Sequence, residues 1–281
     1  MSVTRTLVVN VDDIGLHPAV RRAVERCAEL GTVTSASMLA NGPDTDAMRP
    51  YAGVSLGAHL NILRGAPLSP AREVRSLVDA RGLFVGSWAK LAQRVAMGTV
   101  DIDEVRLEWT RQVRSLLERG LVLSHLDGEK HTHCFPPLFT VACEVAEAHG
   151  IGFVRMSDER FGNRAFGSAA LRRMTLRVLC GLSRKTAGVR TTPAVWGIAE
   201  QGAACTPEAC MRALRGCTHG FVEVVCHPGL RKQGDPELPA TFGRMRVHEL
   251  WEAEFRSLTE RPWRELAAAS GWRLAGFDGI E

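Results

Sequence analysis

The stretch that decides the fold is residues 6–15, TLVVNVDDIG. Its first six residues are mostly apolar and β-branched, which is typical of a buried strand in a parallel sheet. The run ends at Asp12 and Asp13, after which Pro18 opens a predicted helix that ends near Leu30, with Gly31 as its stop. Residues 6–31 therefore form one strand–helix unit, the repeating element of an α/β fold.

The same alternation continues along the chain. Strands are predicted at 35–39, 54–60, from 121 onward, 152–156, 221–226 and 272–277, and helices at 101–119, 136–148, 247–258 and 263–269. Residues 68–86 contain Pro70 and the turn Ala80-Arg81-Gly82, so a loop-rich excursion is predicted there. The number of units favours an irregular (β/α) barrel, similar to a TIM barrel, over an open sheet, and we expect one such domain over residues 1–281.

Residues 121–137, LVLSHLDGEKHTHCFPP, concentrate the chemistry of the chain. Side chains that suit metal binding or proton transfer occupy every second position: His125, Asp127, Glu129, His131 and His133. Alternate residues of an extended strand point to one face, so all five could line one side of the barrel unless Gly128 breaks the run. Such a density is costly unless a cation or a hydrogen-bond network offsets it, and it predicts a functional site.

Other polar residues fall where predicted strands end. Asp12, Asp13, His59 and His227 each lie at or just beyond the carboxyl end of a strand, as the central cluster does. Barrel active sites are built at that end. Asp12 and Asp13 could cap the next helix, but beside His59 we expect one to bind a cation and the other to act as a base. A hydrolytic metal site needs a few protein ligands and an open position for water.

Composition narrows the class of protein. The formal net charge of +4 is small and does not indicate a nucleic-acid binder. The eight cysteines form no CxxC pair and are expected to be buried thiols in a reducing compartment. No apolar run reaches membrane-spanning length, and the first residues lack the features of a signal peptide. We therefore expect a cytoplasmic protein.

A basic segment interrupts this pattern. Between Phe161 and Ala199 there is no acidic residue. The basic residues there are Arg164, Arg172, Arg173, Arg177, Arg184, Lys185 and Arg190. Residues 169–182 mix apolar side chains with arginine at helical spacing, so we expect a basic helical excursion at about 160–217. Its helix either packs on the barrel with a solvated basic face or meets an anionic partner or membrane surface.

Five motifs carry a resemblance to a known family. They are residues 9–16 (VNVDDIGL), 34–42 (TSASMLANG), 56–60 (LGAHL), 124–128 (SHLDG) and 223–229 (EVVCHPG). In that order they resemble the motifs of the YdjC-like carbohydrate deacetylases, which include chito-oligosaccharide deacetylases and hopanoid-associated deacetylases of the HpnK type. The resemblance implies an irregular (β/α) barrel, metal-dependent hydrolysis of an N-acetyl group from an amino sugar, and a homodimer.

The resemblance also implies roles for particular residues. Asp12 resembles the catalytic base of the family, and Asp13 and His59 resemble metal ligands. The family pattern His-x-Asp-x-His-x-His-x-His has Glu129 at its third position here, which aligns with the remaining ligand. One divalent ion, Mg²⁺, Zn²⁺ or Mn²⁺, is expected, and glutamate shifts the preference towards Mg²⁺ or Mn²⁺. Alternatively His125 or His131 completes the metal site. The further candidates are His227 as the acid, and Asp127, His133 and Asn61 as substrate-binding residues or ligands.

Two other functions fit the same residues. A metal-dependent phosphoesterase would use the basic segment to bind an anionic substrate, and a sugar-binding homologue made catalytically silent by Glu129 would bind without releasing acetate. Assays with a panel of substrates distinguish these hypotheses. The sugar itself could belong to an oligosaccharide, a glycoconjugate or a lipid-linked molecule.

Overall fold

The structure is a computed structural model that describes residues 5–161, 167–183, 189–242 and 247–280. Its centre is a nine-stranded parallel sheet with the order β6-β5-β4-β3-β2-β1-β8-β7, and β9 pairs with the first residues of β1. The strands are β1 (Arg5–Ile14), β2 (Ser35–Met38), β3 (Ser55–Leu60), β4 (Leu123–Gly128), β5 (Phe153–Val154), β6 (Arg190–Thr191), β7 (Val195–Trp196), β8 (Phe221–Cys226) and β9 (Trp272–Leu274).

Eight helices connect the strands in the described ranges. They are α1 (Pro18–Glu29), α2 (Trp88–Ala96), α3 (Ile102–Glu118), α4 (Pro136–Ala148), α5 (Ser168–Ser183), α6 (Pro207–Ala213), α7 (Val247–Glu260) and α8 (Trp263–Ala269). In α3, the Asp101 side chain accepts hydrogen bonds from the first backbone amides, and Val105, Trp109 and Val113 form a buried stripe at four-residue spacing. No helix among the described residues is both long and apolar enough to cross a membrane.

The sheet curls into a barrel. In a flat sheet of this order, β5 and β8 would stand five strand spacings apart, or about 24 Å. Yet Arg155, which directly follows β5, lies 2.6 Å from the carboxylate of Glu223 in β8. The two end strands, β6 and β7, are separated by only three residues of chain and are not paired with each other in the described sheet. The predicted irregular, TIM-barrel-like α/β fold is confirmed.

An apolar plug fills the amino end of the barrel. Phe277, in the short 3₁₀ turn Phe277–Gly279, packs with Val8 and Phe153. The ring of His125 stacks on Phe277 with 4.2 Å between centroids. This end of the barrel is therefore closed by packing, and polar side chains collect at the carboxyl ends of the strands.

Most predicted elements are present, and the differences fall between residues 68 and 217. The predicted helical excursion at 160–217 contains α5 and α6 but also β6 and β7, which are strands of the barrel sheet only two residues long. Helix α2 was not predicted. Arg164, Arg184 and Lys185 of the predicted basic segment lie outside the described residues.

Candidate active site

A cavity of about 770 Å³ opens at the carboxyl end of the barrel. Six of the predicted site residues line it: Asp12, Asp13, His59, Glu129, His131 and His227. Helix α5 forms one wall through residues that include Leu171, Arg172 and Thr175. The structure therefore brings together side chains from β1, β3, β8 and the turn after β4, and helix α5 covers them.

Asp12 and Asp13 both reach the cavity because β1 has a bulge at these two residues, where it pairs with β2. Val11 pairs with Ala36 and Ile14 with Met38, so β1 has one more residue than β2 over this interval. Asp13 takes up the extra residue in a left-handed conformation, with φ of 69°. Without the bulge, consecutive residues would point to opposite faces of the sheet.

Asp12 is buried and tightly held. Nη1 and Nη2 of Arg155 donate to its two carboxylate oxygens over 2.8 and 2.7 Å, and Nδ2 of Asn10 donates to Oδ1 over 2.8 Å. Burial alone would raise the pKa of Asp12, but the charge and hydrogen bonds of Arg155 outweigh it and hold the pKa well below its usual range. Asp12 is therefore an ionised carboxylate in a fixed orientation.

Arg155 lies at the centre of three buried carboxylates. Besides Asp12, its guanidinium lies 2.6 Å from Asp127 and 2.6 Å from Glu223. Burial raises the pKa of Asp127, but Arg155 and then His59 outweigh this effect and lower it to about 2. For Glu223 burial prevails over Arg155 and raises the pKa to about 7. Removal of the guanidinium would leave these charges uncompensated in the core.

His59 is oriented by a carboxylate on the neighbouring strand. Its Nδ1 lies 2.7 Å from Oδ1 of Asp127, which leaves Nε2 facing Asp13 at 3.4 Å and Glu129 at 3.8 Å. Burial lowers the pKa of His59, but Asp127 and the other carboxylates outweigh burial and raise it to about 10. The surroundings of Nε2 therefore favour a positive charge. A carboxylate behind the opposite ring nitrogen is also the usual support of a metal-binding histidine.

Asp13, His59 and Glu129 form a donor set that fits a divalent cation. Their ligand atoms lie within 4.8 Å of one another, and all three side chains are buried. Oδ1 of Asp13 has no hydrogen-bond partner among the described residues. Burial and the nearby Glu129 raise the pKa of Asp13 to about 7. A buried carboxylate oxygen without a partner is costly, and a cation would satisfy it.

A second group has ligand atoms equally close together, but protein hydrogen bonds already occupy them. It consists of Asp12, His59 and Asp127. Arg155 binds both carboxylates, and Oγ of Ser37 donates to Asp127 over 2.6 Å. We therefore regard this group as a hydrogen-bond network that supports the first one.

The alternating pattern of the central segment ends at Gly128. After it, residues Glu129–Cys134 form a 3₁₀ turn in which Lys130 and His131 are left-handed, with φ of 48° and 57°. This turn directs Glu129 and His131 into the cavity. Oγ of Ser157 lies 2.9 Å from Nδ1 of His131, and burial lowers the pKa of His131 to about 3. His131 is therefore neutral.

Four predicted site residues do not line the cavity, and one of them is Asp127, which bonds His59 from behind. His125 lies one layer deeper, against Phe277, and burial lowers its pKa to about 4. Nε2 of His133 bonds the backbone oxygen of Arg155 over 2.9 Å. Asn61 is engaged in its own turn, where Oδ1 accepts from two backbone amides. His125, His133 and Asn61 therefore lie outside the cavity lining, each bonded to or packed on other parts of the barrel.

His227 follows β8 at the rim of the cavity. Its Nε2 lies 3.9 Å from Oδ2 of Asp12, and its side chain is 19% exposed. The backbone amide of His227 donates to the buried carboxylate of Glu254 in α7, which also accepts from the amide of Gly202. Helix α7 thus fixes the loop that presents His227.

Several important residues were missed from the sequence. Arg155 was assigned only to a strand, although a charged residue within the short apolar run GFVRM was a signal, as was Glu223 within FVEVVC. Arg64, which lies 3.3 Å from Glu129 through Nε, follows an ordinary turn and gave no signal. Its Nη1 is buried and has no hydrogen-bond partner among the described residues.

Fold and site together define an α/β barrel with a buried carboxylate–histidine cluster at the carboxyl ends of its strands. The chain belongs to the YdjC-like family, because the family model described as "YdjC-like protein" matches residues 6–269.

Similar proteins agree with this assignment. A carbohydrate deacetylase of Homo sapiens is 31% identical over 98% of this chain and 91% of its own, and one of Mus musculus is 30% identical over 98% and 94%. A carbohydrate deacetylase of Halalkalibacterium halodurans is 32% identical over 52% of this chain and 61% of its own. A crystal structure from Enterococcus faecalis V583, provisionally described as a cellobiose-phosphate cleavage protein, has a TM-score of 0.72 at 23% identity over 98% of each chain, which shows a shared fold.

Proposed function

We propose that this protein is a carbohydrate deacetylase that uses a divalent cation to hydrolyse the N-acetyl group of an amino sugar, giving a free amine and acetate. The observation that carries the proposal is the donor set of Asp13, His59 and Glu129 beside the ionised carboxylate of Asp12. Family membership supports it, as do full-length relatives that are named carbohydrate deacetylases.

The proposed ligands are Asp13, Nε2 of His59 and Glu129. Two carboxylates and one imidazole make a harder set than one carboxylate with two imidazoles, which favours Mg²⁺ or Mn²⁺ relative to Zn²⁺. Nε of Arg64 lies 3.3 Å from Oε1 of Glu129, whereas Oε2 of Glu129 lies 3.8 Å from Nε2 of His59. Oε2 is therefore the proposed ligand atom. When bound, the cation would polarise the acetyl carbonyl and lower the pKa of water.

The protein groups then perform the proton transfers. Asp12 accepts a proton from the attacking water, held in place by Arg155 and Asn10. His227, close to Asp12, donates a proton to the sugar nitrogen as the carbon–nitrogen bond breaks, so that the amine leaves neutral. We assign to His131, which is neutral and lines the cavity, a hydrogen bond to the sugar.

The deciding experiment is acetate release from a panel of N-acetylated sugars by metal-stripped protein, with Mg²⁺, Mn²⁺, Zn²⁺ or no metal added back. We expect acetate release to depend on the added metal. The rate should be higher with Mg²⁺ or Mn²⁺ than with Zn²⁺. Metal binding shown by calorimetry without acetate release from any sugar would contradict the proposal. Higher activity with Zn²⁺ than with the other ions would contradict only the proposed metal preference.

A second candidate is hydrolysis of a phosphoester. It is favoured by the basic side chains of Arg64, Lys130 and Arg172, all of which line the cavity. The same metal series with aryl and sugar phosphates tests it, and phosphate release without acetate release would make it the better assignment. We further propose a cytoplasmic location, supported by eight cysteines that are all buried and form no disulfide.

A further inference from the structure

Helix α5 turns an apolar stripe towards solvent. Leu171, Met174, Val178 and Leu182 are 62%, 62%, 60% and 58% exposed. They make up four of the seven large apolar side chains exposed in the described part of the chain. Their spacing of three, four and four residues places them on one side of the helix. The opposite side packs inward through Leu176, Cys180 and Ser183, so the solvent face of α5 is apolar where a soluble helix is normally polar.

Arginines flank this stripe. At 100° per residue, Arg172 lies on one side of it and Arg177 on the other, and both side chains are exposed. Arg172 also contacts Gln201, and Arg177 lies 3.8 Å from Asp158. The helix carries no acidic residue, and the sequence on either side of it adds Arg164, Arg184 and Lys185. An apolar centre with cationic edges is the pattern of a helix that lies in the interface of an anionic bilayer.

We propose that α5 docks the protein on the surface of an anionic lipid bilayer, with the apolar stripe among the lipids and the flanking arginines at the head groups. A two-fold contact with a second copy fits less well, because it would bring the arginines of one α5 against those of the other. Leu171 and Arg172 also line the cavity, so docking would bring the cavity next to the bilayer.

The test is flotation of the full chain with vesicles of phosphatidylcholine, with and without phosphatidylglycerol, at low and physiological salt. We expect binding that requires phosphatidylglycerol and weakens with salt. The triple variant Met174→Gln, Val178→Gln, Leu182→Gln should bind at least about tenfold more weakly. The single variant Arg177→Gln should bind about fivefold more weakly.

The matched control is Met97→Gln, Val122→Gln, which replaces two apolar side chains that are 64% and 84% exposed on other parts of the surface. It should bind vesicles as the wild type does. The triple variant should unfold at the wild-type temperature and release acetate from a soluble sugar at the wild-type rate, because none of its three positions lines the cavity.

Three results would overturn the proposal. The wild type could fail to bind anionic vesicles at low salt, or the triple variant could bind them as well as the wild type. Sedimentation could also show a wild-type dimer that the triple variant converts to monomers, which would make the stripe a subunit interface.

Discussion

Arg155 binds Asp12 through both terminal nitrogens, which lie 2.8 and 2.7 Å from the two carboxylate oxygens. This bidentate pair fixes the plane of the carboxylate and holds the pKa of Asp12 well below its usual range. A carboxylate held in this way stays ionised throughout the neutral range. Its pH behaviour therefore depends on the guanidinium.

We predict that Arg155→Lys moves the acid limb of the kcat/KM profile to higher pH. A single ammonium cannot replace the bidentate contact, so burial would prevail and the pKa of Asp12 would rise. Below that raised pKa, Asp12 is protonated and inactive as a base. Measurement of the full pH profile checks this, and a lower rate with an unmoved acid limb would reduce Arg155 to a purely structural residue.

Asp12→Asn and Asp13→Asn should separate catalysis from metal binding. Asp12→Asn removes the proposed base, so we expect turnover to fall by about 10²- to 10⁴-fold with the metal still bound. Asp13→Asn removes a proposed ligand and should weaken metal binding by at least about 100-fold. Asparagine tolerates the left-handed backbone at this position, so the fold is retained. Calorimetric titration with Mg²⁺ or Mn²⁺, beside acetate assays, distinguishes the two variants.

Asp13→Asn should also stabilise the metal-free protein at about pH 8. The pKa of Asp13 is raised to about 7, so the folded state holds a proton there that the unfolded state has lost, and stability falls as pH rises from about 4 through 7. Asparagine does not titrate, so the variant lacks this fall in stability with pH. We expect a gain on the order of 1–3 kcal/mol at pH 8 that disappears near pH 4. Chemical denaturation at both pH values measures it, and an equal difference at both would contradict the assignment.

Metal binding should release protons. With pKa values of about 7 for Asp13 and about 10 for His59, both groups are protonated near pH 6 in the metal-free protein. A cation displaces these protons, so we expect release of about one to two protons per metal and an affinity that rises at least about tenfold per pH unit from pH 5 to 7. Calorimetry in two buffers of different ionisation enthalpy counts the protons. A heat of binding that is independent of buffer would contradict the proposed ligand set.

Gly57→Ala should destabilise the barrel without touching the cavity. An added Cβ would lie 2.4 Å from the ring of His125, which is pinned against Phe277. We expect a loss of about 1–3 kcal/mol in the free energy of unfolding. Gly181→Ala is the matched control, since that helical glycine has nothing within 4 Å and alanine favours a helix. Denaturant titration should show a loss only for the first variant, and an equal effect of both would contradict the steric argument.

The sequence predicted the barrel well because its strands are short apolar runs with polar ends. Helix α4 and strand β8 were predicted with the bounds that the structure shows, residues 136–148 and 221–226. Strands β6 and β7 were missed because, unlike the equally short β5 in the run GFVRM, they lie in no longer apolar run that marks a strand, and β7 pairs with a strand distant in the chain.

For the site, the sequence identified six of the residues that line the cavity but not how their side chains are arranged. Strand alternation correctly put Asp127 on the face of His125, but it could not show that the turn after Gly128 separates Glu129 and His131 from His133. Arg155 shows what a sequence cannot predict. Its partners Asp12, Asp127 and Glu223 come from three different strands, and only the closure of the barrel makes them neighbours.

The bulge in β1 has a mechanical consequence for the proposed chemistry. It lets two adjacent residues, Asp12 as the proposed proton acceptor and Asp13 as a proposed ligand, reach one cavity with their Cα atoms about 3.8 Å apart. Breathing of the barrel, or a shift of β1 against β2, carries both groups together as one rigid piece. The distance between the proposed base and this proposed ligand therefore depends on one short stretch of backbone and not on the packing of two elements.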